Sequence, residues 1–130
     1  MQELFKVLGD TNRLRILNLL RKGEFCVCEI EVILDMTQSN VSRHLNKLKS
    51  SDIISSTKAA QWVQYKVSET FINNNKLLYS YLIDGFEGGL VFKGDIEKLN
   101  KYRDNDFSCK VINEDKERVL GALNERRKDN

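Results

Sequence analysis

The feature that most constrains the fold is a pair of helical patterns separated by only three residues. Each predicted helix carries apolar residues at helical spacing: Ile30, Ile33 and Leu34 in the first, and Val41, Leu45 and Leu48 in the second. The short turn between them, Asp35-Met36-Thr37, supplies Thr37 as N-cap of a helix from Gln38 to about Ser50. Two helices joined by so short a turn are typical of a helix-turn-helix.

The pattern changes from helix to strand directly after this unit. Residues 53–55 begin one strand, and Trp62–Val67 form a second that is rich in β-branched and aromatic residues. Residues 57–61 are predicted to form the hairpin loop, with Lys58 near its tip. Helices are predicted upstream at residues 2–8 and 11–22, and a long helix is predicted downstream at residues 69–84. The fold class is therefore mainly α with a small β-hairpin, a winged helix-turn-helix.

The second half of the chain divides at four glycines, Gly85, Gly88, Gly89 and Gly94, which are expected to break helical structure. We therefore assign residues 1–84 to the winged helix-turn-helix domain and residues 85–130 to a C-terminal helical extension or tail. Within that extension, residues 95–104 are predicted to be a short polar helix. Residues 114–128 are predicted to be a final helix or a frayed tail.

Charge is unevenly distributed in this chain of 130 residues with a net charge of +2. Residues 1–68 hold ten Lys/Arg and seven Asp/Glu, a net +3, whereas the remaining residues hold eleven and twelve, a net −1. Residues 37–51 contain Arg43, Lys47 and Lys49 but no acid. Such a stripe can neutralise phosphates, although charge alone fits a solvated basic helix face equally well.

The predicted second helix of the pair has the residues of a DNA-reading helix, whose N-terminal part enters the major groove. Gln38 and Asn40 can pair bidentately with adenine, and Arg43 with guanine. Short Ser39 and Ser42 allow close approach and can bind phosphates. The predicted contacts with duplex DNA are Gln38, Ser39, Asn40, Ser42, Arg43, His44 and Lys47 on the helix, and Lys58, Gln61 and Lys66 on the wing. His44 could instead pack within the domain and make no DNA contact. The helix as a whole could instead be a polar, exposed helix of an ordinary helical bundle.

Three segments in order, residues 8–17 (LGDTNRLRIL), 24–30 (EFCVCEI) and 37–45 (TQSNVSRHL), resemble the ArsR/SmtB family of metal-responsive repressors. The resemblance covers roughly residues 2–84. It implies a homodimer with the first and fifth helices at the interface, a palindromic operator, and release from DNA when an inducer binds. Family members often have proline after Asp10 and at the position of Ser39, and this chain has neither, which changes local rigidity only.

The cysteines are the candidate inducer site. Cys26 and Cys28 open the predicted third helix, and thiolates suit Cu(I), Zn or other thiophilic ions. Residues two apart on a helix point about 200° from each other, so one ion would require the helix start to distort. The Cys-Val-Cys-acid segment is similar to that of arsenic-responsive members, which implies trivalent arsenic or antimony held by sulfur alone. Some of those members have a third cysteine where this chain has Glu31.

Cys109 is the only other thiol, and we hypothesise that it completes a three-thiolate site, within one subunit or across the dimer. The alternative is an incidental thiol in a mobile tail, just as the Cys26/Cys28 pair could be two half-buried small residues. An odd cysteine count favours reduced thiols over a disulfide framework. A zinc site is disfavoured because it usually needs four ligands, while His44 is the single histidine and residues 69–84 contain Asp84 but no histidine.

Other classes of function are weaker. The same scaffold could respond to thiol oxidation or persulfide instead of a metalloid. A thiol redox enzyme or metal carrier lacks the C-x-x-C pattern beside a βαβ unit, and no nucleophile–base pair for catalysis is visible, so we expect no enzyme. No apolar run approaches the roughly 20 residues that span a bilayer, and no secretory signal is visible, so no membrane partner and a cytoplasmic location are expected.

Overall fold

The computed structural model describes residues 1–124, which form nine helices and one three-stranded antiparallel sheet. The helices are α1 Gln2–Leu8, α2 Thr11–Leu20, α3 Val27–Leu34, α4 Gln38–Ser50, α5 Glu69–Asn74, α6 Lys76–Gly88, α7 Leu90–Asp104, α8 Cys109–Glu114 and α9 Lys116–Leu123. The strands are β1 Phe25–Cys26, β2 Ile54–Ala59 and β3 Trp62–Val67, in the order β1-β3-β2. None of the helices in this part of the chain is both long and apolar enough to cross a bilayer.

The helix-turn-helix predicted from the sequence is confirmed as α3 and α4. Asp35 ends α3 in the left-handed conformation, with φ of 54°. Thr37 caps α4 by accepting a 3.2 Å hydrogen bond from the backbone N–H of Asn40. The apolar stripe of α4 faces inward, since Val41, Leu45 and Leu48 are at most 1% exposed. α2 is central as expected: its residues Ile16, Leu17 and Leu19 are fully buried.

The wing is a tighter hairpin than predicted. β2 and β3 pair from Ile54 opposite Val67 to Ala59 opposite Trp62, so the connection is only Ala60-Gln61. Ala60 takes a positive φ of 56°, which a tight turn of this kind requires. Lys58 therefore lies within β2 and not in a loop. The third strand, β1, was not predicted because two residues are too short to show an alternating pattern.

The predicted glycine-rich break is wrong in extent. α6 continues through Gly85 and Gly88, and α7 contains Gly94, because helices tolerate isolated glycine at a cost of about 1 kcal/mol. The chain turns only at Gly89, where an added Cβ would lie 2.7 Å from the Phe92 ring. A small residue there lets the Phe92 ring approach Phe86, with centroids 5.0 Å apart. The predicted long helix 69–84 is likewise two helices, divided at Asn75.

The C-terminal helices pack against the helix-turn-helix core. The boundary predicted at residue 84 falls inside α6, and α7 contacts both α2 and α3. The carboxylate of Asp95 on α7 accepts two hydrogen bonds from the Arg15 guanidinium, at 2.8 and 3.0 Å. Fully buried Asn18 donates to the Phe92 carbonyl at 3.2 Å. α8 and α9 then pack on α3, and residues 125–128 of the predicted final helix lie outside the described residues.

Candidate functional site

The outer face of α4 is polar, basic and exposed. Most of its predicted DNA-contacting side chains are at the surface: Gln38, Ser39, Asn40, Arg43 and Lys47. Ser42 is half-buried. The guanidinium of Arg43 donates a 2.9 Å hydrogen bond to the Asn40 side-chain oxygen, which holds two groups that can bind base edges next to each other. On the wing, Lys58 and Gln61 are exposed and Lys66 is half-buried.

His44 is the exception on α4, because its side chain is only 4% exposed and faces the core. Burial lowers the pKa of His44, and the nearby cations of Arg43, Arg13 and Lys47 lower it further against the opposing charge of Asp10. Its Nδ1 atom is buried without a hydrogen-bond partner among residues 1–124. These contacts favour the packing role over the DNA contact that was also expected for His44.

The three cysteines come together in one site. Their sulfur atoms all lie within 4.8 Å of one another. The Sγ of Cys28 is 3.0 Å from that of Cys26 and 2.8 Å from that of Cys109. Cys109 therefore joins the pair within a single subunit, although 81 residues separate it from Cys28.

The oxidation state differs from the expected three reduced thiols. Cys26 and Cys109 are joined as a disulfide, and Cys28 keeps a free thiol. The Cα atoms of the joined pair are 7.5 Å apart, which is wider than the roughly 4.4–6.8 Å usual for disulfides. Because Cys28 lies against both sulfurs, we describe the three residues together as the sulfur cluster.

The two upstream sulfurs meet without distortion of α3, contrary to the sequence-based argument. Both residues were predicted to lie on a helix. In the structure Cys26 precedes the helix as its N-cap in an extended conformation, with φ of −89° and ψ of 168°. Cys28 lies in the first turn of α3. The change of backbone conformation between them removes the angular separation of about 200° that a continuous helix imposes on side chains two residues apart.

A carboxylate positions Cys26. Glu29 Oε1 accepts from the backbone N–H of Cys26 at 3.1 Å, as in a capping box, and lies 3.4 Å from the Cys26 sulfur. Glu29 Oε2 accepts a 2.6 Å hydrogen bond from buried Tyr102 on α7. Neither Glu29 nor Tyr102 was among the predicted site residues. The cap-x-x-Glu spacing from Cys26 to Glu29 was a usable signal for the former, whereas nothing local indicated the latter.

Cys109 is held at the start of α8, where Ser108 caps the helix by accepting from the backbone N–H of Val111 at 3.3 Å.

Burial, together with the charges of Glu29 and Glu31, raises the pKa of Cys28 to about 11. Glu31 pairs with Lys116 on α9 at 3.1 Å. The site is therefore largely shielded and holds its free thiol in the protonated form at neutral pH.

A cavity of about 500 Å³ adjoins the sulfur cluster. It is lined by Cys26, Val27, Cys28, Glu31, Gln38, Trp62, Val63, Ile112, Asn113 and Lys116. These residues come from α3, the start of α4, the wing and the C-terminal helices. The cavity thus brings the cluster next to Gln38, the first residue of α4, and to Trp62, the first residue of β3.

Comparison with known proteins identifies related regulators. Residues 10–56 match the family described as bacterial regulatory protein, arsR family. The chain is 43% identical over 67 residues to the arsenical resistance operon repressor of Escherichia coli K12, which covers 51% of this chain and 57% of that protein. It is 41% identical over 75 residues to the cadmium resistance regulatory protein CadC of Listeria innocua, covering 57% and 59%. The matched region therefore spans less than two thirds of these curated relatives.

Solved structures show the same fold. The transcriptional regulator HlyU of Vibrio vulnificus superimposes with a TM-score of 0.51 and 35% identity, covering 61% of this chain and 83% of that one. The homodimeric winged helix-turn-helix domain of Mb0332 from Mycobacterium bovis superimposes with a TM-score of 0.56 and 25% identity, covering 64% and 77%. The sequence match, the helix-turn-helix with its wing and these structural neighbours agree: the chain belongs to the arsR family of bacterial regulatory proteins.

Proposed function

We propose that this protein is a homodimeric, DNA-binding transcriptional repressor of the cytoplasm that trivalent arsenic or antimony releases from its operator. The observation that carries the proposal is the sulfur cluster, in which three sulfurs lie within 4.8 Å of one another beside the start of α4. The regulatory function is supported by the family, and the inducer is supported by the cluster and by the arsenical resistance repressor among the relatives. Nothing in the proposal requires catalysis.

DNA binding is assigned to the outer face of α4 and to the wing. The exposed residues of α4 include hydrogen-bonding groups at its N-terminal end and cations further along, with no acid on the helix. An α-helix of this kind fits the major groove, and the wing then reaches the flanking phosphates. Lys58 and Gln61 are exposed there for that contact.

Dimerisation is assigned to α1 and α6, the latter being the larger part of the predicted fifth helix. Both helices expose large apolar side chains: Phe5 on α1 is 54% exposed, with Met1 just before the helix 95% exposed, and Leu77 and Tyr81 on α6 are 90% and 75% exposed. Apolar surface of this kind marks interaction sites, and the Mb0332 neighbour is homodimeric. Two copies related by a twofold axis would place two α4 helices on the half-sites of a palindrome.

The donor set of the cluster favours arsenic or antimony over zinc. Zinc sites use four ligands, whereas the described residues bring three sulfurs within 4.8 Å of one another, and the Glu29 carboxylate beside Cys26 is already bound to the Cys26 backbone and to Tyr102. Trivalent arsenic forms three bonds to soft sulfur ligands. Starting from three thiols, As(OH)3 forms three As–S bonds and releases three water molecules, with no change of oxidation state. Cys26 and Cys109 must be reduced for this reaction.

Coupling to DNA follows from the position of Cys26. It caps α3, which packs on α4, and it pairs with Gln64 of β3 in the wing. An ion bound between the sulfurs of Cys26 and Cys109 therefore acts on the support of α4 and on the wing together. This replaces distortion of the first turn of α3 as the proposed route from inducer to operator.

The test is an arsenite titration of the reduced protein on a fluorescent duplex selected by the protein from a random pool. We expect release of the duplex by arsenite and loss of that release in Cys26→Ser/Cys28→Ser and in Cys109→Ser, with each variant compared against its own DNA affinity without arsenite. A cadmium titration in parallel addresses the other class of relative. Release that persists in the double serine variant would refute the proposed site, and absence of binding to every duplex would refute the repressor function.

A second function, response to thiol oxidation, is favoured by one observation, the Cys26–Cys109 disulfide. Two thiols and one hydrogen peroxide would give this disulfide and two water molecules. The same duplex assay separates the two functions. Release by peroxide that dithiothreitol reverses, without release by arsenite, would favour oxidation as the signal.

A further inference from the structure

We propose that Lys6 of α1 and Arg13 of α2 join Lys47 of α4 in holding one phosphate of the DNA backbone at the C-terminal end of α4. This rests on the DNA binding of the proposed function and extends it to two helices outside the helix-turn-helix and the wing. The site is a cleft between these three helices, on the far side of α4 from its N-cap.

The cleft is concave and basic. It has a volume of about 400 Å³ and is lined by residues of α1, the first turn of α2 and the second half of α4. Three cations line it, Lys6, Arg13 and Lys47, against one acid, Glu3, which leaves a net charge of +2. Cations gathered in one concave site are suited to a phosphate, which accepts several charge-assisted hydrogen bonds at once.

Arg13 has hydrogen-bond donors that the fold does not use. Its side chain is only 14% exposed, and its Nε atom is buried without a hydrogen-bond partner among residues 1–124. Its contact with Asp10 is 3.7 Å, which is too long for a hydrogen bond. Arg15, two residues further on, instead donates to the Asp95 carboxylate through two nitrogens. A shielded guanidinium with unused donors is suited to bind a phosphate through its planar fork.

α4 is long enough for its C-terminal end to reach the DNA backbone. Its 13 residues span about 20 Å, whereas the major groove is about 12 Å wide. With the N-terminal half of α4 in the groove, its last turns lie at the rim, where the phosphates are. Arg43, Lys47 and Ser50 are exposed at positions i, i+4 and i+7 of one helix face, and the last two line the cleft. The base-reading surface therefore continues directly into the cleft.

The cleft stays open in the proposed dimer. Phe5 belongs to the exposed apolar face of α1 that we assign to dimerisation. Glu3 and Val7 line the cleft, and each is two residues from Phe5, so they point about 200° around the helix from it. A second copy on the apolar face of α1 would thus leave the basic side of that helix free for DNA.

The experiment is a scan of the selected duplex with single methylphosphonates, each of which removes the charge of one phosphate. We expect one position in each half-site, beyond the bases next to Arg43, at which this change weakens wild-type binding by about tenfold and Lys6→Gln binding by no more than about threefold. Lys6→Gln should also lower the salt slope by about two, one per subunit. Lys6 is exposed, so this variant carries little risk to folding.

Lys93→Gln is the matched control, because it removes the same charge from an exposed position on α7. It should keep the wild-type response to every methylphosphonate. Glu3→Gln removes the acid of the cleft and should tighten binding by about two- to threefold, opposite in sign to Lys6→Gln. If Lys6→Gln keeps the wild-type response at every phosphate, the inference is overturned.

Inorganic phosphate distinguishes a backbone phosphate from a free anion in the cleft. When it replaces chloride at constant ionic strength, we expect duplex affinity to change by less than about twofold. Competition by phosphate that Lys6→Gln abolishes, with no change in the methylphosphonate scan, would show a free-anion site and contradict the inference. If Arg43→Ala weakens duplex binding and Lys6→Gln does not, this inference alone fails; if no duplex is bound, the proposed function fails with it.

Discussion

The hydroxyl of Tyr102 donates a 2.6 Å hydrogen bond to Glu29, whose other carboxylate oxygen accepts from the backbone of Cys26. A residue of α7 thus fixes the cap of α3 and, through it, one member of the sulfur cluster. Burial, with the hydrogen bond to Glu29, raises the pKa of Tyr102, so the phenol stays protonated and donates at any ordinary pH.

Tyr102→Phe should therefore lower the free energy of unfolding by about 1.5–3 kcal/mol, the usual value of a hydrogen bond to a charged group. Arsenite binding should also weaken, because Glu29 loses the contact that orients it toward Cys26. Urea unfolding and calorimetry measure the two effects. Tyr79→Phe removes a hydroxyl that takes no part in this network and is the control; equal effects of the two variants would contradict the assigned role.

The ion pair between Asp95 and Arg15 should be needed for docking of α7. The two side chains are 5% and 18% exposed, and removal of one partner leaves a shielded charge uncompensated. Asp95→Asn should lower the free energy of unfolding by about 2–4 kcal/mol. The loss is limited because the Arg15 guanidinium keeps its 3.0 Å hydrogen bond to the Leu34 carbonyl. Denaturant unfolding measures this. Asp104→Asn, exposed on the same helix, should change stability by less than about 0.5 kcal/mol.

Substitutions on α4 and the wing should have different signatures on DNA. Arg43→Ala should cost about 1–3 kcal/mol on the selected duplex and relax its sequence preference. Lys58→Ala should weaken binding to all sequences and reduce the salt slope by about two, one per subunit of a dimer. Anisotropy titrations at several salt concentrations separate these outcomes. Lys93→Ala, exposed on α7, should change neither quantity, and identical behaviour of all three variants would contradict the assigned surface.

His44 should make stability depend on pH. Its pKa in the folded state is lowered below the ordinary value of 6.5, so between these two values the unfolded chain binds more protons than the folded one. The free energy of unfolding should therefore fall as pH drops from about 6.5 toward the folded pKa. Urea unfolding between pH 7.5 and 5.5 measures this slope. His44→Gln removes the only histidine and should flatten the dependence; an unchanged slope would show that other groups cause it.

The helix-turn-helix was predictable because its signals are local. Thr37 is an N-cap three residues before Asn40, and the spacing of Val41, Leu45 and Leu48 directly reports one buried face. The hairpin of the wing was predictable, but the length of its turn was not, because an alanine gives no indication of a positive φ such as that of Ala60. Local sequence thus determined which elements form, and their ends were less certain.

The remainder of the site depends on contacts between distant parts of the chain. The polar segment 95–104 gave no sign that Asp95 is buried against Arg15, 80 residues away. The position of Cys109 beside Cys28 results from docking of α7 and α8 on α3. The residue pattern around Cys28 or around Cys109 gives no indication of this docking. The pairing of Cys109 with the other sulfurs was therefore a hypothesis from chemistry. Of the helices that produce it, residues 95–104 of α7 were predicted, but their docking on α3 was not.

Cys26 belongs to three structures at once, as the partner of Gln64 in the sheet, the cap of α3 and a member of the sulfur cluster. Under the proposed function, sensing and DNA reading would consequently share this residue, with no separate relay between them. Exchange of this sulfur for a ligand suited to another ion would also alter the wing and the support of α4. A chain that evolves to bind a different inducer through this residue must therefore also change its contacts with DNA.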